Sequence, residues 1–255
     1  MPFTPGAFLL EWASDAQNTL VFMREPNHVA TSRILRQNLS MRRVCTLGLV
    51  MALTLVLTGC GESSQIYPAS KENGVFFAVP KNWNSLSYAA LSKYEKSSAN
   101  KTDNSRESLV RWQVAYSLDP KIKVSSVFTL KPPSSPLIFA RVRDLTSEET
   151  NDFSYNSLRD VIVPITQLAS GTDLGVNDFE ILNDREVVEK GARGVQTIYR
   201  FTLQGEQQTF NQTALMSDDR SVLYILIGRC TTTCYKKNKK EIEKIVSSFT
   251  VQGAK

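Results

Sequence analysis

The sequence predicts an α+β domain built around an antiparallel β-sheet. Three segments in which apolar and polar residues alternate follow one another between residues 195 and 227, and their connections are too short for a parallel crossover. An apolar repeat with helical spacing closes the chain, and a second one lies between residues 146 and 169. Antiparallel strands beside amphipathic helices are typical of this fold class.

The three carboxyl-terminal strands give the clearest pattern. The first, residues 195–203, places one set of side chains on a single face: Val195, Thr197, Tyr199, Phe201 and Leu203. The second spans residues 209–216. The third, residues 221–227, is apolar on both faces, which predicts a central position in the sheet. Their short links predict an antiparallel meander.

Shorter patterns predict the other elements. Apolar runs indicate strands at residues 75–80, 110–117, 125–130 and 136–142, and a short helix is expected within 85–94, before a polar loop at 97–107. Thr146 and Glu149 have the spacing of a capping box at the start of a long helix. Pro164 removes a backbone donor inside that helix, so we expect a kink or a break into two helices there.

The last helix is predicted by the spacing of Ile242, Ile245, Val246 and Phe249. It is preceded by four lysines, Lys236, Lys237, Lys239 and Lys240. Asn238 and Glu241 offer a cap that leaves the first two lysines outside the helix. The cluster has two interpretations: an anionic contact with lipid headgroups or an acidic partner, or a solvated face balanced by Glu241 and Glu243.

Residues 41–59 resemble a bacterial lipoprotein signal peptide. Arg42 and Arg43 precede an apolar stretch, and the small-residue motif Leu57-Thr58-Gly59-Cys60 ends it. The 14 residues from 44 to 57 span roughly 21 Å as a helix, too short for a ~30 Å hydrocarbon core, so an uncleaved anchor is the weaker interpretation. The resemblance implies secretion, cleavage before Cys60, and diacylglycerol and N-acyl lipid on Cys60 at the extracytoplasmic face of a bacterial membrane.

The sequence divides into four parts. Residues 1–40 carry no clear period and are interpreted as upstream sequence wrongly included or as a long n-region, and residues 41–59 form the signal peptide. Residues 60–73 are polar and predict a flexible tether. Residues 74–252 contain no Pro/Gly-rich break and predict a single domain.

Cleavage before Cys60 removes His28, the only histidine. A chain without histidine cannot build a Ser-His-Asp triad, a Cys-His pair or an HExxH zinc site. The remaining 25 basic and 22 acidic residues give a net charge of +3, too small to predict nucleic-acid binding. The sequence therefore predicts no catalytic residues, no metal site and no cofactor other than the lipid on Cys60.

Cys230 and Cys234 are the only other cysteines after residue 59. Two cysteines four residues apart can reach the Cα separation that a disulfide needs, and the bond would pin a strand-to-helix junction. The alternatives are two free thiols or half of a metal site, although no histidine or second cysteine pair is present to complete a tetrahedral shell.

Two segments resemble the PsbP/Mog1-like superfamily, which includes LpqN-type and other small bacterial lipoproteins. The first is Phe77-Ala78-Val79-Pro80-Lys81-Asn82-Trp83, a strand that ends in proline and tryptophan. The second is the turn at 191–194 with the meander and the terminal helix that closes on 245–249. The resemblance implies an antiparallel sheet of about six strands sandwiched between helices, and a non-catalytic role.

Three hypotheses of function follow. The first is a binding or assembly module, held to the membrane by its lipid and working with an envelope protein partner. The second is a solute-binding lipoprotein, although the usual two-lobed form needs a longer chain. The third is an envelope hydrolase that uses paired carboxylates, for which Asp178 with Glu180 and Glu148 with Glu149 are the candidates.

Overall fold

The computed structural model describes residues 64–98 and 108–252. Its strands are β1 (Gln65–Ile66), β2 (Ala69–Ser70), β3 (Val75–Phe76), β4 (Val79–Pro80), β5 (Asn84–Leu86), β6 (Val110–Ser117), β7 (Leu137–Asp144), β8 (Asn177–Glu189), β9 (Ala192–Leu203), β10 (Glu206–Ser217), β11 (Val222–Thr231) and β12 (Thr250–Val251). Its helices are α1 (Tyr88–Ser98), α2 (Ser147–Asp152), α3 (Tyr155–Arg159), α4 (Ile165–Ala169) and α5 (Thr232–Ser247), and a 3-10 turn spans Val124–Ser126.

Seven strands form one antiparallel sheet in the order β5-β6-β7-β11-β10-β9-β8. The predicted meander is confirmed as β9-β10-β11, and β11 lies at the centre of the sheet because it buries both faces. Two small sheets, β1-β4 and β12-β3-β2, flank it. The predicted α+β class with an antiparallel sheet is therefore confirmed, and the main sheet has seven strands where about six were expected.

Helices cover both faces of this sheet. On one face, which we call the α5 face, Ile242 and Val246 of α5 pack with Tyr224 of β11 and with Phe77. On the other face, the α3 face, Leu158 of α3, Ile165 of α4 and Leu91 of α1 pack against the sheet. Each helix buries its apolar stripe, so two separate cores hold the three layers together.

Helix α5 lies close to the central strand at Gly228. A Cβ atom placed on Gly228 would lie 2.7 Å from Cγ2 of Ile242 and 3.0 Å from Cδ1 of Ile138. No ordinary side chain fits such a gap without a shift of its neighbours. Glycine at this position therefore sets how closely α5 packs on the sheet.

The start of the folded domain differs from the prediction. Residues 64–73 were expected to belong to the tether, but β1 pairs with β4 and β2 pairs with β3. The predicted strand 75–80 is divided between two small sheets, and between its two parts the backbone N–H of Phe77 donates to the carbonyl of Pro68 at 3.2 Å. Both differences from the prediction arise because the polar segment 64–70 pairs with residues 75–80.

The predicted strand at 125–130 is wrong. This segment begins in the 3-10 turn, and its carbonyl groups at Ser126 and Thr129 accept hydrogen bonds from the side chain of Arg229. Val127 is buried, and the ring of Phe128 stacks on Tyr94 with centroids 5.5 Å apart. Its apolar residues therefore reach the core from a loop, a burial that alternation alone cannot distinguish from a strand.

The helical region 146–169 consists of three short helices. The capping box of Thr146 and Glu149 is confirmed at the start of α2, and a second capping box at Ser154 starts α3. Phe153 between them is extended, at φ −66° and ψ 125°. Pro164 precedes α4, so the predicted break lies there. A second break, which was not predicted, lies between α2 and α3, where the Ser154 cap starts a new helix.

Strand β8 was not predicted. It forms the outer edge of the sheet, and most of its 13 residues are exposed. Because neither of its faces is apolar, it carries no alternation for a sequence pattern to detect. The short helix predicted at 85–94 also begins later, since residues 84–86 form β5 and α1 spans Tyr88–Ser98.

Candidate functional site

The predicted lipid-attachment motif, Leu57, Thr58, Gly59 and Cys60, lies outside the described residues. The described chain begins four residues later at Ser64, whose carbonyl accepts a hydrogen bond from the backbone N–H of Lys81 at 3.0 Å. Tyr67, between β1 and β2, has 66% of its side chain exposed. An aromatic ring with an exposed hydroxyl is the type of side chain that proteins place at a membrane–water interface.

Cys230 and Cys234 lie at the junction of β11 and α5. Their Cα atoms are 5.9 Å apart and their sulfur atoms 2.21 Å apart, and both side chains are buried. Thr231, between them, caps the helix by accepting a hydrogen bond from the backbone N–H of Cys234 at 3.2 Å. The pair thus lies at disulfide distance across the strand-to-helix junction where the sequence placed it.

The four lysines occupy positions that differ from the prediction. Helix α5 begins at Thr232, so Lys236 and Lys237 lie inside the helix. Asn238 does not cap it, because its side chain donates instead to the carbonyl of Cys234 at 2.9 Å. The Thr231 cap and the adjacent cysteine pair start the helix about two turns earlier, and the basic residues consequently form part of its exposed surface.

Arg229 is a buried charge that the sequence reasoning missed. It lies on the α3 face, where Nη2 donates to the carbonyls of Ser126 at 2.7 Å and Thr129 at 2.5 Å. Burial lowers the pKa of Arg229 to about 10, and no carboxylate among the described residues pairs with it. The available signal was an arginine inside the otherwise apolar strand 222–230. This side chain fixes the 124–130 segment on the sheet.

A largely buried polar cluster joins α1 to the sheet. Arg141 of β7 binds Glu95 of α1 at 2.5 Å and Gln113 of β6 at 2.7 Å, and both members of the ion pair keep only 16% of their side chains exposed. Gln113 also donates to Glu95 at 2.7 Å. The three side chains satisfy one another, which suits a positioning role for α1.

The candidate carboxylate pairs are engaged in separate contacts. Asp178 accepts from Thr202 at 2.9 Å, and Glu180 forms an ion pair with Arg200. Glu149 closes its capping box and binds Arg143 at 2.8 Å. The structure therefore assigns these acids to cross-strand and capping contacts.

Two aspartates near α3 have shifted pKa values of opposite sign. Burial raises the pKa of Asp160, although Thr166 donates to it through its hydroxyl and through its backbone N–H at 2.9 Å. Burial also acts to raise the pKa of Asp184, but hydrogen bonds from Arg159 and Thr197 outweigh it, so the pKa of Asp184 lies below its ordinary value. Asp184 thereby joins α3 to strands β8 and β9, whereas Asp160 joins the end of α3 to α4.

An open depression of about 510 Å³ lies along α1 and is lined by Tyr88, Ala89, Ser92, Lys93, Lys96 and Ser97. In residues 64–98 and 108–252, no three side chains of His, Cys, Asp or Glu are grouped to hold a metal ion. No helix of this part of the chain is both long and apolar enough to cross a membrane.

No family model matches the chain, and no curated protein matches it. Solved structures with a similar chain trace include the PsbP protein (CyanoP) of the cyanobacterium Synechocystis, with 15% identity, 76% of this chain and 95% of that chain covered, and a TM-score of 0.43. LpqN of Mycobacterium tuberculosis, involved in cell envelope biogenesis, has 13% identity, coverages of 73% and 90%, and a TM-score of 0.42. The Ran-binding protein Mog1p of Saccharomyces cerevisiae has 8% identity, coverages of 74% and 96%, and a TM-score of 0.40.

Proposed function

We propose that the protein is a lipid-anchored module on the extracytoplasmic side of a bacterial membrane, where it binds or helps to assemble another envelope component without catalysing a reaction. The observation that carries this proposal is the motif Leu57-Thr58-Gly59-Cys60 at the end of an apolar run. The cysteine sulfur is the group that the lipoprotein pathway modifies.

The cysteine arrangement supports the proposal. After residue 59 the chain has three cysteines, and the buried pair Cys230 and Cys234 lies at disulfide distance. Disulfides persist in oxidising compartments such as the bacterial periplasm and the cell surface. Cys60 is then the one cysteine of the processed chain that remains for attachment of lipid.

The functional groups inside the domain support a non-catalytic role. The buried Arg229 and the part-buried Arg141–Glu95 pair hold a loop and a helix in place. The carboxylates that the sequence offered for hydrolysis, among them Glu149 and Glu180, are bound to arginines. The surface, rather than a pocket lined by reactive groups, is therefore the part of this protein that we expect to work.

The anchor is tested by expressing the full chain in a bacterium that is fed an alkyne-labelled fatty acid. We expect the wild-type chain to incorporate the label and mass spectrometry to find lipid on Cys60 at a new N-terminus. The Cys60→Ala variant should remain unlabelled and uncleaved, whereas a Cys45→Ala variant, altered inside the leader, should be labelled like wild type. An unmodified Cys60 thiol in the mature wild-type protein would contradict the proposal.

The role is tested by crosslinking in intact cells. A photoreactive amino acid placed at exposed positions should yield one recurrent envelope partner. The control is an unrelated soluble domain carried on the same leader and Cys60, which should not crosslink that partner. Equal recovery with both proteins would count against a binding or assembly function.

A further inference from the structure

Charge is unevenly distributed among the elements of this domain. Residues 147–189 contain ten acidic and two basic residues, a net charge of −8. Their helices α3 and α4 pack on the α3 face, and they end in the edge strand β8. Helix α5, on the opposite face, contains five lysines and two glutamates, a net charge of +3. The domain therefore carries an electric asymmetry that the small net charge of the mature chain hides.

The lysines of α5 point away from the sheet. Lys236, Lys240 and Lys244 are spaced four residues apart, so they form one row along the helix, and all three are exposed. Buried residues such as Ile242 and Val246 occupy the opposite side of the helix. Among ion pairs between described residues, the lysines of α5 take part only in that of Lys239 with Glu243, at 3.7 Å. The row thus presents positive charge to solvent.

The segment that leads back to Cys60 lies on the α5 face. Ile66 of β1 packs with the same core cluster as α5, and the backbone N–H of Ala78 donates to Oγ of Ser248, just after the helix end, at 2.9 Å. Four peptide units separate Ser64 from Cys60, and a fully extended chain of that length spans about 14 Å. A lipid on Cys60 would hold this side of the domain near the bilayer surface.

From these observations we propose that the outer surface of α5 lies on the anionic bilayer in which Cys60 is anchored. Lys236, Lys240 and Lys244 contact lipid phosphates, and the exposed ring of Tyr67 lies at the interface near the anchor. The acidic segment 147–189 faces away from the bilayer and stays available to other molecules. This orientation rests on the proposed lipid anchor and adds to it the surface that faces the membrane.

These few charges act on the bilayer only because the lipid anchor keeps the domain close to it. Attraction between lysines and anionic headgroups is screened over about 8 Å at physiological salt, so it requires a domain already held at the surface. The anchor supplies that proximity, and the charge asymmetry then selects one orientation, because turning the domain over would bring the acidic segment against lipid phosphates. A soluble partner would gain no comparable advantage from the position of Cys60.

The test uses the lipidated full chain, reconstituted either in vesicles that contain phosphatidylglycerol or in vesicles of phosphatidylcholine alone. Lysines are acylated with a water-soluble reagent, and mass spectrometry measures each rate. We expect Lys236, Lys240 and Lys244 to react several-fold more slowly on the anionic vesicles, and the difference to disappear at high salt. Lys93, exposed on α1 at the other face, should react equally on both.

A charge-reversal variant and a matched control separate orientation from folding. In the wild-type protein the neighbouring Lys237 should also be acylated more slowly on anionic vesicles. The variant Lys236→Glu, Lys240→Glu, Lys244→Glu should lose this slowing at Lys237. The control Lys93→Glu, Lys121→Glu, Lys123→Glu makes the same change in charge at exposed positions outside α5 and should keep the slow acylation of Lys237. Circular dichroism and the urea midpoint establish that both variants are folded.

The outcomes distinguish the two proposals. Mass spectrometry of the same samples reads the state of Cys60, and a bare thiol there overturns the proposed anchor. A lipidated Cys60 with equal α5 lysine rates on both kinds of vesicle overturns only the orientation. Equal slowing of Lys93 and Lys240 on anionic vesicles also overturns it, because it means adsorption without a preferred face.

Discussion

The guanidinium of Arg229 lies over the ring of Phe210, with Cζ 5.4 Å from the ring centroid. Both side chains are buried on adjacent strands, and their residues face each other in the β10–β11 register. A buried arginine without a carboxylate is costly, and here the face of the ring and the carbonyls of the 124–130 segment stabilise it. A charge inside the core thereby holds a surface loop.

Arg229→Met keeps much of the side-chain length and removes both the charge and the donors. We expect the free energy of unfolding to fall by about 1 to 3 kcal/mol, since the part-buried carbonyls of Ser126 and Thr129 lose their partner. Amide hydrogen exchange in residues 124–130 should accelerate more than elsewhere. Arg185→Met, on the exposed edge strand, is the control and should change stability by less than about 0.5 kcal/mol. Unchanged exchange in 124–130 would show that Arg229 does not hold that segment.

Removal of the cysteine pair by Cys230→Ala with Cys234→Ala should lower the free energy of unfolding by about 2 kcal/mol. The loop that the bond closes is short, so the loss of chain entropy in the unfolded state is modest. Urea unfolding with and without reductant measures it. Reductant should destabilise the wild-type protein and leave the variant unaffected. If reductant leaves the wild-type urea midpoint unchanged and mass spectrometry finds two thiols, the disulfide between Cys230 and Cys234 is contradicted.

Gly228→Ala should destabilise the protein by about 1 to 3 kcal/mol, because the new Cβ would overlap the Cγ2 methyl of Ile242. Ile242→Leu moves the branch point away from the helix backbone and should recover part of this loss. A double-mutant cycle by urea unfolding checks the coupling. Additive effects of the two substitutions would show that they do not contact each other as described.

Asp184 makes stability depend on pH in acid. Its pKa in the folded protein is lower than in the unfolded chain, so its contribution is complete above the pKa of an unfolded aspartate, about 3.9, and is lost as the pH falls through the folded value. Asp184→Asn should cost about 0.5 to 1 kcal/mol near neutral pH, as expected for a partly exposed pair with Arg159. The difference from wild type should vanish in urea unfolding at about pH 2.

Asp160 is the contrasting case. Burial raises its pKa in the folded protein, so protonation favours the folded state as the pH falls through the raised value and then through the ordinary one. Asp160→Asn should therefore increase the loss of stability on acidification, while Asp184→Asn should reduce it. Parallel urea titrations of both variants check the two signs. Changes of the same sign in both would refute this assignment of the shifts.

Much of the sheet could be predicted because burial leaves a periodic trace in the sequence. Thr197, Tyr199 and Phe201 alternate with polar residues, and they are indeed buried on one face. Strand β8 could not be found in this way, since an exposed edge strand places few apolar residues on either face. The cap at Thr231 was missed because Asn238 offers an equally good local pattern, and only the packing of Tyr235 and Ile242 on the sheet selects between them.

By itself, the sequence determined the antiparallel meander, its central strand, the capping box at Thr146 and the position of the cysteine pair at a strand-to-helix junction, because each depends on neighbours in the chain. Only the tertiary structure decided that Arg229 would bind the carbonyls of Ser126 and Thr129, and that the lysine-rich helix α5 would lie on the opposite face of the sheet from helices α3 and α4 of the acidic segment. Those relationships join residues that are distant in sequence, and no local period encodes them.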